Sequence, residues 1–95
     1  MINDTEKKSN PDIFVVVRIL EILWSRGHEV KKTELQMASK LNYDVYSKYL
    51  VWLEKRELIE TINKDEWHKI IKLTPKGTEA YKGIINWIRE FVDKI

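Results

Sequence analysis

The chain has no cysteine, so it has neither a disulfide framework nor a thiolate to bind metal or attack a substrate, and a reducing cytoplasm is the expected setting. Its two histidines, His28 and His68, lie far apart and form neither an HExxH nor a His-x-His spacing, which argues against a metal centre. The three glycines are isolated from one another, so no phosphate-cradling loop exists. No apolar run approaches the length of a membrane span, and the opening MINDTEKKSN lacks the apolar core of a signal peptide. Asp65-Glu66 sits in a turn cluster and reads as a solvated tip rather than a catalytic pair. These absences exclude the common enzymatic readings, and we expect no catalytic residue, no metal and no cofactor.

Charge of one sign is also scarce. Lys and Arg number 17 against 15 Asp and Glu, a formal charge of +2, so any case for an anionic partner rests on where the charges fall. Hydrophobic residues make up 43% of the 95 positions, with four Trp and four Tyr, enough for one packed core in a single small domain. A domain of this size gains from a partner chain.

Residues 1–10 are polar and aperiodic and are expected to be a disordered tail. Asn10-Pro11 supplies a cap and a proline at the first helical position, which predicts a first helix from Pro11 to about Arg26, closed by Gly27 in the left-handed conformation. That helix is apolar over most of its circumference, leaving Arg18, Glu21 and Ser25 as a narrow polar strip. It is either a central helix covered by its own domain or a helix shared with a second copy, and the shared reading assigns Val16, Ile19 and Leu23 to a dimer interface. His28–Lys32 reads as a short extended segment with Val30 inward. Thr33 is the expected cap of the next helix, with Gln36 completing a capping box and Leu35, Met37, Ala38 and Leu41 facing inward.

Asn42 caps a third helix, Tyr43–Glu57. At about 100° per residue, Val45, Tyr46, Tyr49, Leu50, Trp52, Leu53 and the stem of Arg56 fall on one arc. Asp44, Ser47, Lys48, Val51, Glu54 and Lys55 occupy the other. Phase therefore places Tyr46 and Tyr49 in the core, although in composition they look like base-stacking groups. Residues 58–62 and 67–73 are two β-branched strands around the turn Asn63-Lys64-Asp65-Glu66. Thr74-Pro75 then opens a last helix, whose apolar residues Tyr81, Ile84, Ile88, Phe91 and Ile95 alternate in steps of three and four, as in a coiled-coil seam. At ~1.5 Å per residue, the segment 75–95 extends about 30 Å, longer than the body needs.

Two short helices, a tight turn and a hairpin, in that order, are the plan of an α+β winged helix-turn-helix: a three-helix core plus a β-hairpin wing over residues 11–74, with a C-terminal dimerisation helix over 75–95. The residues Leu41-Asn42-Tyr43, Tyr49, Leu53, Leu58-Ile59, Leu73-Thr74 and Lys76-Gly77, spread over about Val30 to Tyr81, resemble those of the small archaeal winged-helix DNA-binding proteins and predicted transcriptional regulators typified by the ten-kilodalton DNA-binding proteins of Sulfolobus. The resemblance implies double-stranded DNA as partner and a homodimer paired through antiparallel C-terminal helices. Two departures stand out: the last helix is short for a long coil, and the first is unusually apolar, so both terminal helices packing together are expected to build the dimer; the third helix is also less basic than a general chromatin coater requires.

DNA binding needs cations for phosphates and side chains that reach base edges. Lys48 and Lys55 on the outer arc, Lys40 before it, and Lys31 and Lys32 at the approach are the candidate phosphate contacts. Tyr43, Asp44, Ser47 and Val51 are the candidates nearest the bases: Ser by hydrogen bond, Asp through a cytosine amino group, Val through a thymine methyl. Lys64, Lys69 and Lys72 equip the wing 59–73 to grip a neighbouring groove. The expected function is a dimeric, nucleoid-associated transcriptional regulator in the cytoplasm, reading the major groove with residues 43–57; Ile84, Ile88, Phe91, Tyr81 and Ile95 complete its dimer seam. The alternative is a winged-helix protein-interaction module, which Asp44, Glu54, Asp65 and Glu66 near the same face would suit. No residue group marks a small-molecule effector or a membrane partner.

Overall fold

The computed structural model describes residues 11–92. The first helix, α1 (Ile13–Ser25), is capped by Asp12, whose side chain accepts a hydrogen bond from the Phe14 amide. The expected cap, Asn10, lies outside the described residues, as do the rest of the tail 1–10 and Ile95. Asp12 takes the role because its carboxylate sits at the β-conformation residue just before the first turn, while its carbonyl accepts from Val15 and Val16. Gly27 ends α1 at φ +83, and the His28 amide closes back onto the Leu23 carbonyl at 2.8 Å, a Schellman closure.

Strand β1 (Glu29–Lys31) leads straight into α2 (Lys32–Ser39), followed by α3 (Tyr43–Lys55), strands β2 (Ile59–Asn63) and β3 (Lys69–Leu73), and α4 (Pro75–Val92). The hairpin expected from sequence is present, but it belongs to a three-stranded antiparallel sheet in the order β1-β3-β2, with Val30 opposite Ile71 and Ile59 opposite Leu73. Those four side chains are buried and form the inner face of the sheet. The segment that carries Val30 inward is thus also the strand that covers the far edge of β3.

Helix α2 begins one residue before Thr33, and Lys31 occupies the cap position without a side-chain hydrogen bond. Lys31 is still paired with Ile70 in the ladder, so strand and helix share a junction and Thr33 is displaced into the first turn. Met37, expected inward, is 73% exposed; Leu35 and Ser39 are the buried residues of α2.

The core gathers Val16, Ile19, Leu20 and Leu23 of α1 with Leu35, Tyr46, Leu50, Leu53, the inner sheet face and Tyr81 of α4. This corrects the assignment of Val16, Ile19, Leu23 and Tyr81 to a dimer interface. They are at most 8% exposed within a single chain, because α2, α4 and β3 all pack on α1 and cover it. Helix α4 starts as expected, with Thr74 Oγ1 accepting from the Gly77 amide at 2.9 Å. Gly77 is buried against the hairpin, where a Cβ would run into the Leu58 carbonyl oxygen and stand 2.8 Å from Leu73 Cδ1. Further along, Ile84 and Ile88 are half-buried, whereas Trp87 and Phe91 stay exposed and touch each other at a centroid separation of 4.5 Å. Among the described residues, no helix is long and apolar enough to cross a membrane.

Candidate nucleic-acid interface

Helix α3 is anchored by its inner arc. Asn42 Oδ1 accepts from the Val45 amide at 2.9 Å and fixes the start of the helix. Tyr46, Leu50 and Leu53 are buried, and the Tyr46 hydroxyl donates to the Lys32 carbonyl at 2.6 Å, joining α3 to the first turn of α2. Burial pushes the Tyr46 hydroxyl well above the ordinary phenol range, so it remains a donor. Tyr49 is only half-buried and accepts from the Asp12 amide at 2.9 Å. Both tyrosines are therefore occupied in structure. Val45, counted with the core by phase, is 36% exposed because it sits at the edge of the arc.

The turn between α2 and α3 is held from three sides. Arg18 donates to the Ser39 carbonyl at 3.1 Å, Ser39 Oγ donates to the Gln36 carbonyl at 2.8 Å, and the Gln36 amide group donates to the Leu41 carbonyl at 3.4 Å. Lys40, at φ 59, occupies the left-handed position that ends α2, and its side chain is exposed.

On the outer arc Tyr43 is 59% and Val51 50% exposed, and Asp44, Lys48, Glu54 and Lys55 lie in solvent alongside them. Two lysines balanced by two carboxylates leave α3 itself without net charge. Ser47 departs from the expectation: its hydroxyl is covered and has no hydrogen-bond partner among the described residues, so it does not offer itself to a base edge. The phase angle put Ser47 well within the outer arc, yet the residue is half-buried, and phase alone does not account for the cover over its hydroxyl.

In the wing, Lys64 and Lys69 are exposed. Lys72 is half-buried on the central strand, directly opposite Glu29 on one side and Glu60 on the other. Asp65 orders the tip. Its Oδ1 accepts from the amides of Trp67 and His68 at 2.8 and 2.9 Å and lies 2.8 Å from His68 Nδ1. The hydrogen bond from Trp67, reinforced by His68, holds the Asp65 carboxyl below its ordinary value. The expected solvated carboxylate is in fact what shapes the turn, and it holds Trp67 and His68 out of the strand in which sequence placed them.

Trp67 was not singled out by sequence, where it appeared as an ordinary strand aromatic. It is 85% exposed and, with His68, Lys69, Lys31, Lys32 and Thr33, lines a cleft between the wing and the start of α2. Strict alternation around β3 would have left it on the same face as Lys69, which is the signal that could have drawn attention to it. Among the described residues, no three His, Cys, Asp or Glu side chains converge to hold a metal. His28 instead packs against Trp24, with the ring centroids 5.0 Å apart and the planes tilted by 40°.

Residues 9–91 match the sequence profile of the winged helix-turn-helix family. The chain belongs to that family. Among solved structures, a winged-helix DNA-binding protein from STIV superposes with a TM-score of 0.75 at 17% identity, over 87% of this chain and 96% of that one. The DNA-binding protein Sso10a-2 from Sulfolobus solfataricus gives 0.70 at 21% identity, over 88% and 84% of the two chains. A MarR-family transcriptional regulator from Silicibacter pomeroyi gives 0.70 at 22% identity over 84% of this chain, which spans only 54% of that protein. At these identities the likenesses establish the fold. No curated protein matches the sequence.

Proposed function

We propose that this winged helix-turn-helix protein binds double-stranded DNA and acts as a dimeric, non-enzymatic transcriptional regulator. The observation that carries the reading is the division of α3: Tyr46, Leu50 and Leu53 hold it in the core, while Tyr43, Lys48, Val51 and Lys55 lie exposed on the opposite side among the described residues. A helix held that way enters a major groove as a rigid reading head. Asp44 accompanies these residues as a candidate contact to a cytosine amino group. Lys40 at the helix-turn-helix corner and Lys32 at the start of α2 serve the flanking phosphates, with Lys64 and Lys69 on the wing. Lys72 contributes least, flanked as it is by Glu29 and Glu60. The names of the relatives support the reading, because the STIV and Sulfolobus proteins are described as DNA-binding and a regulator from Staphylococcus aureus of the same fold was solved with DNA. A protein that works on DNA in this way resides with the nucleoid in the cytoplasm.

We put the second copy on α4. Ile84, Ile88 and Phe91 continue the seam beyond the last buried residue, Tyr81, and Trp87 widens it. The apolar face so formed extends the helix past its own domain, as a homodimer contact requires.

Titration of random-sequence duplex DNA across a range of salt, with mass measured in the same buffers, tests both parts. A dimer whose affinity falls steeply with salt is the expected result. The absence of binding at low salt would favour the protein-interaction reading, which the charge-neutral surface of α3 also suits.

A further inference from the structure

The cleft between α2 and the wing has a chemistry of its own. Its volume is about 170 Å³, far above the roughly 10–15 Å³ that seats one water, so it has room for a tetrahedral anion. Three of its six lining residues are lysines, Lys31, Lys32 and Lys69, and none is a carboxylate. The first turn of α2 opens beside it with no side chain capping its amides, and Thr33, displaced from the cap position, lines the wall. The fourth side is Trp67, an indole held away from the body by the Asp65 turn. A cleft lined by three lysines supplies cations for a phosphate, and an exposed indole on its wall supplies an apolar face for the group attached to that phosphate.

We propose that this cleft seats one phosphate of a nucleic-acid backbone, with Lys31, Lys32 and Lys69 around its charge and Trp67 packed on the adjoining sugar. The proposal rests on the DNA-binding reading and deepens it. On the wing this contact is made from the tip end of β3, by Lys69 and by Trp67 in the turn, with Lys64 across the turn left to a neighbouring phosphate. The bond from Tyr46 to the Lys32 carbonyl ties this seat to α3. A phosphate held here therefore sets how the reading helix lies in its groove.

The test combines salt-dependent DNA binding with acrylamide quenching of tryptophan fluorescence, comparing the wild type, Trp67→Phe, Trp67→Ala and the double variant Lys31→Ala/Lys69→Ala. Subtracting the Trp67→Phe signal isolates Trp67 from the other tryptophans, and far-UV circular dichroism checks that each variant is folded. Expected are shielding of Trp67 when DNA binds, affinity about tenfold lower in Trp67→Ala on any sequence, and a log–log salt slope about one unit shallower in the double variant. DNA binding that leaves Trp67 fully quenchable and the double variant with the wild-type slope would overturn the seat while leaving the DNA-binding reading intact. Should the wild type bind no DNA, that reading fails, and titration with inorganic pyrophosphate decides the seat. A saturable Trp67 response that the double variant loses keeps it as a site for free phosphate, and no response overturns it.

Discussion

The two terminal helices, α1 and α4, looked alike in sequence as candidates for a dimer contact, yet the fold treats them in opposite ways. Helix α1 is apolar almost all round and is consumed by its own chain: α2, β3 and α4 pack on it, and Val16, Ile19, Leu20 and Leu23 are buried. Helix α4 is amphipathic, and its hold on the body weakens along its length, with Ile85 still packed half-buried against the core. Gly77 and Tyr81 dock on the body, while Trp87, Phe91 and Val92 remain exposed. A helix that is apolar on every side signals that it lies at the centre of a domain. A seam that runs on into exposed aromatic residues is the surface the proposed second copy would cover.

The comparison is broken most sharply at the docked end of α4. Gly77→Ala puts a methyl group against the Leu58 carbonyl and Leu73 Cδ1, neither of which can yield without parting the helix from the hairpin. Overpacking against backbone lies at the upper end of its range, so a loss upward of about 3 kcal/mol is expected in urea denaturation. In α1, Ile19→Ala opens a fully buried site and should cost about 2–5 kcal/mol. Ile88→Asp in the second half of α4 should do the reverse: sedimentation should find monomers, while far-UV circular dichroism of the domain is unchanged. If the mass stays the same, that half of α4 lies against its own domain and the contrast with α1 disappears.

Helix α3 carries the same contrast within one element. Lys48→Ala should weaken DNA binding with no loss of fold, and as a phosphate contact it should do so about equally on every sequence. Tyr46→Phe should leave the reading surface intact but remove the bond to the Lys32 carbonyl, lowering stability by about 1 kcal/mol. Wild-type DNA affinity in Lys48→Ala, with loss of binding in wing variants, would move the docking surface from α3 to the wing.

What the sequence disclosed followed local rules. Thr74-Pro75 and Asn42 start their helices as capping chemistry requires, and the angular reading of α3 placed Tyr46, Leu50 and Leu53 inward. The misses arose where two eligible residues competed or where a long-range partner decided the outcome. Asn10 and Asp12 are both good caps, and nothing local ranks them. Thr33 lost the cap position because Lys31 pairs with Ile70, a residue far along the chain, and β1 is too short at three residues to show a period. Trp67 was read as strand because the Asp65 turn that expels it depends on hydrogen bonds to the backbone, which composition does not reveal. The candidate site reads in sequence as a set of lysines around α3; the cleft that gathers some of them does not, since it is made by bringing residues 31–33 against 67–69.

Helices α1 and α3 end in the same way, and this gives the smallest effect. Each closes with the amide of the second residue past the cap bonded to a carbonyl in the last turn, His28 to Leu23 at 2.8 Å and Leu58 to Leu53 at 3.0 Å. Between cap and closure, α1 has Gly27 at φ +83, whereas α3 has Glu57 at φ 61, a conformation in which a Cβ crowds the backbone. The Glu57 side chain gives little in return, a 3.7 Å approach to Lys76 with both groups largely exposed. The bond from Thr74 Oγ1 goes to the Glu57 carbonyl and survives any side-chain change. Glu57→Gly should therefore stabilise the domain, by about 0.5–1 kcal/mol once glycine's greater freedom in the unfolded chain is subtracted from the relieved strain. Gly27→Ala should destabilise by a similar amount through the same conformation, since a Cβ there meets nothing within 4 Å and the backbone alone decides. Opposite signs for the two substitutions in thermal denaturation would confirm that both helices close by one mechanism. A loss of stability in Glu57→Gly would mean that the contact with Lys76 outweighs the backbone at the end of α3.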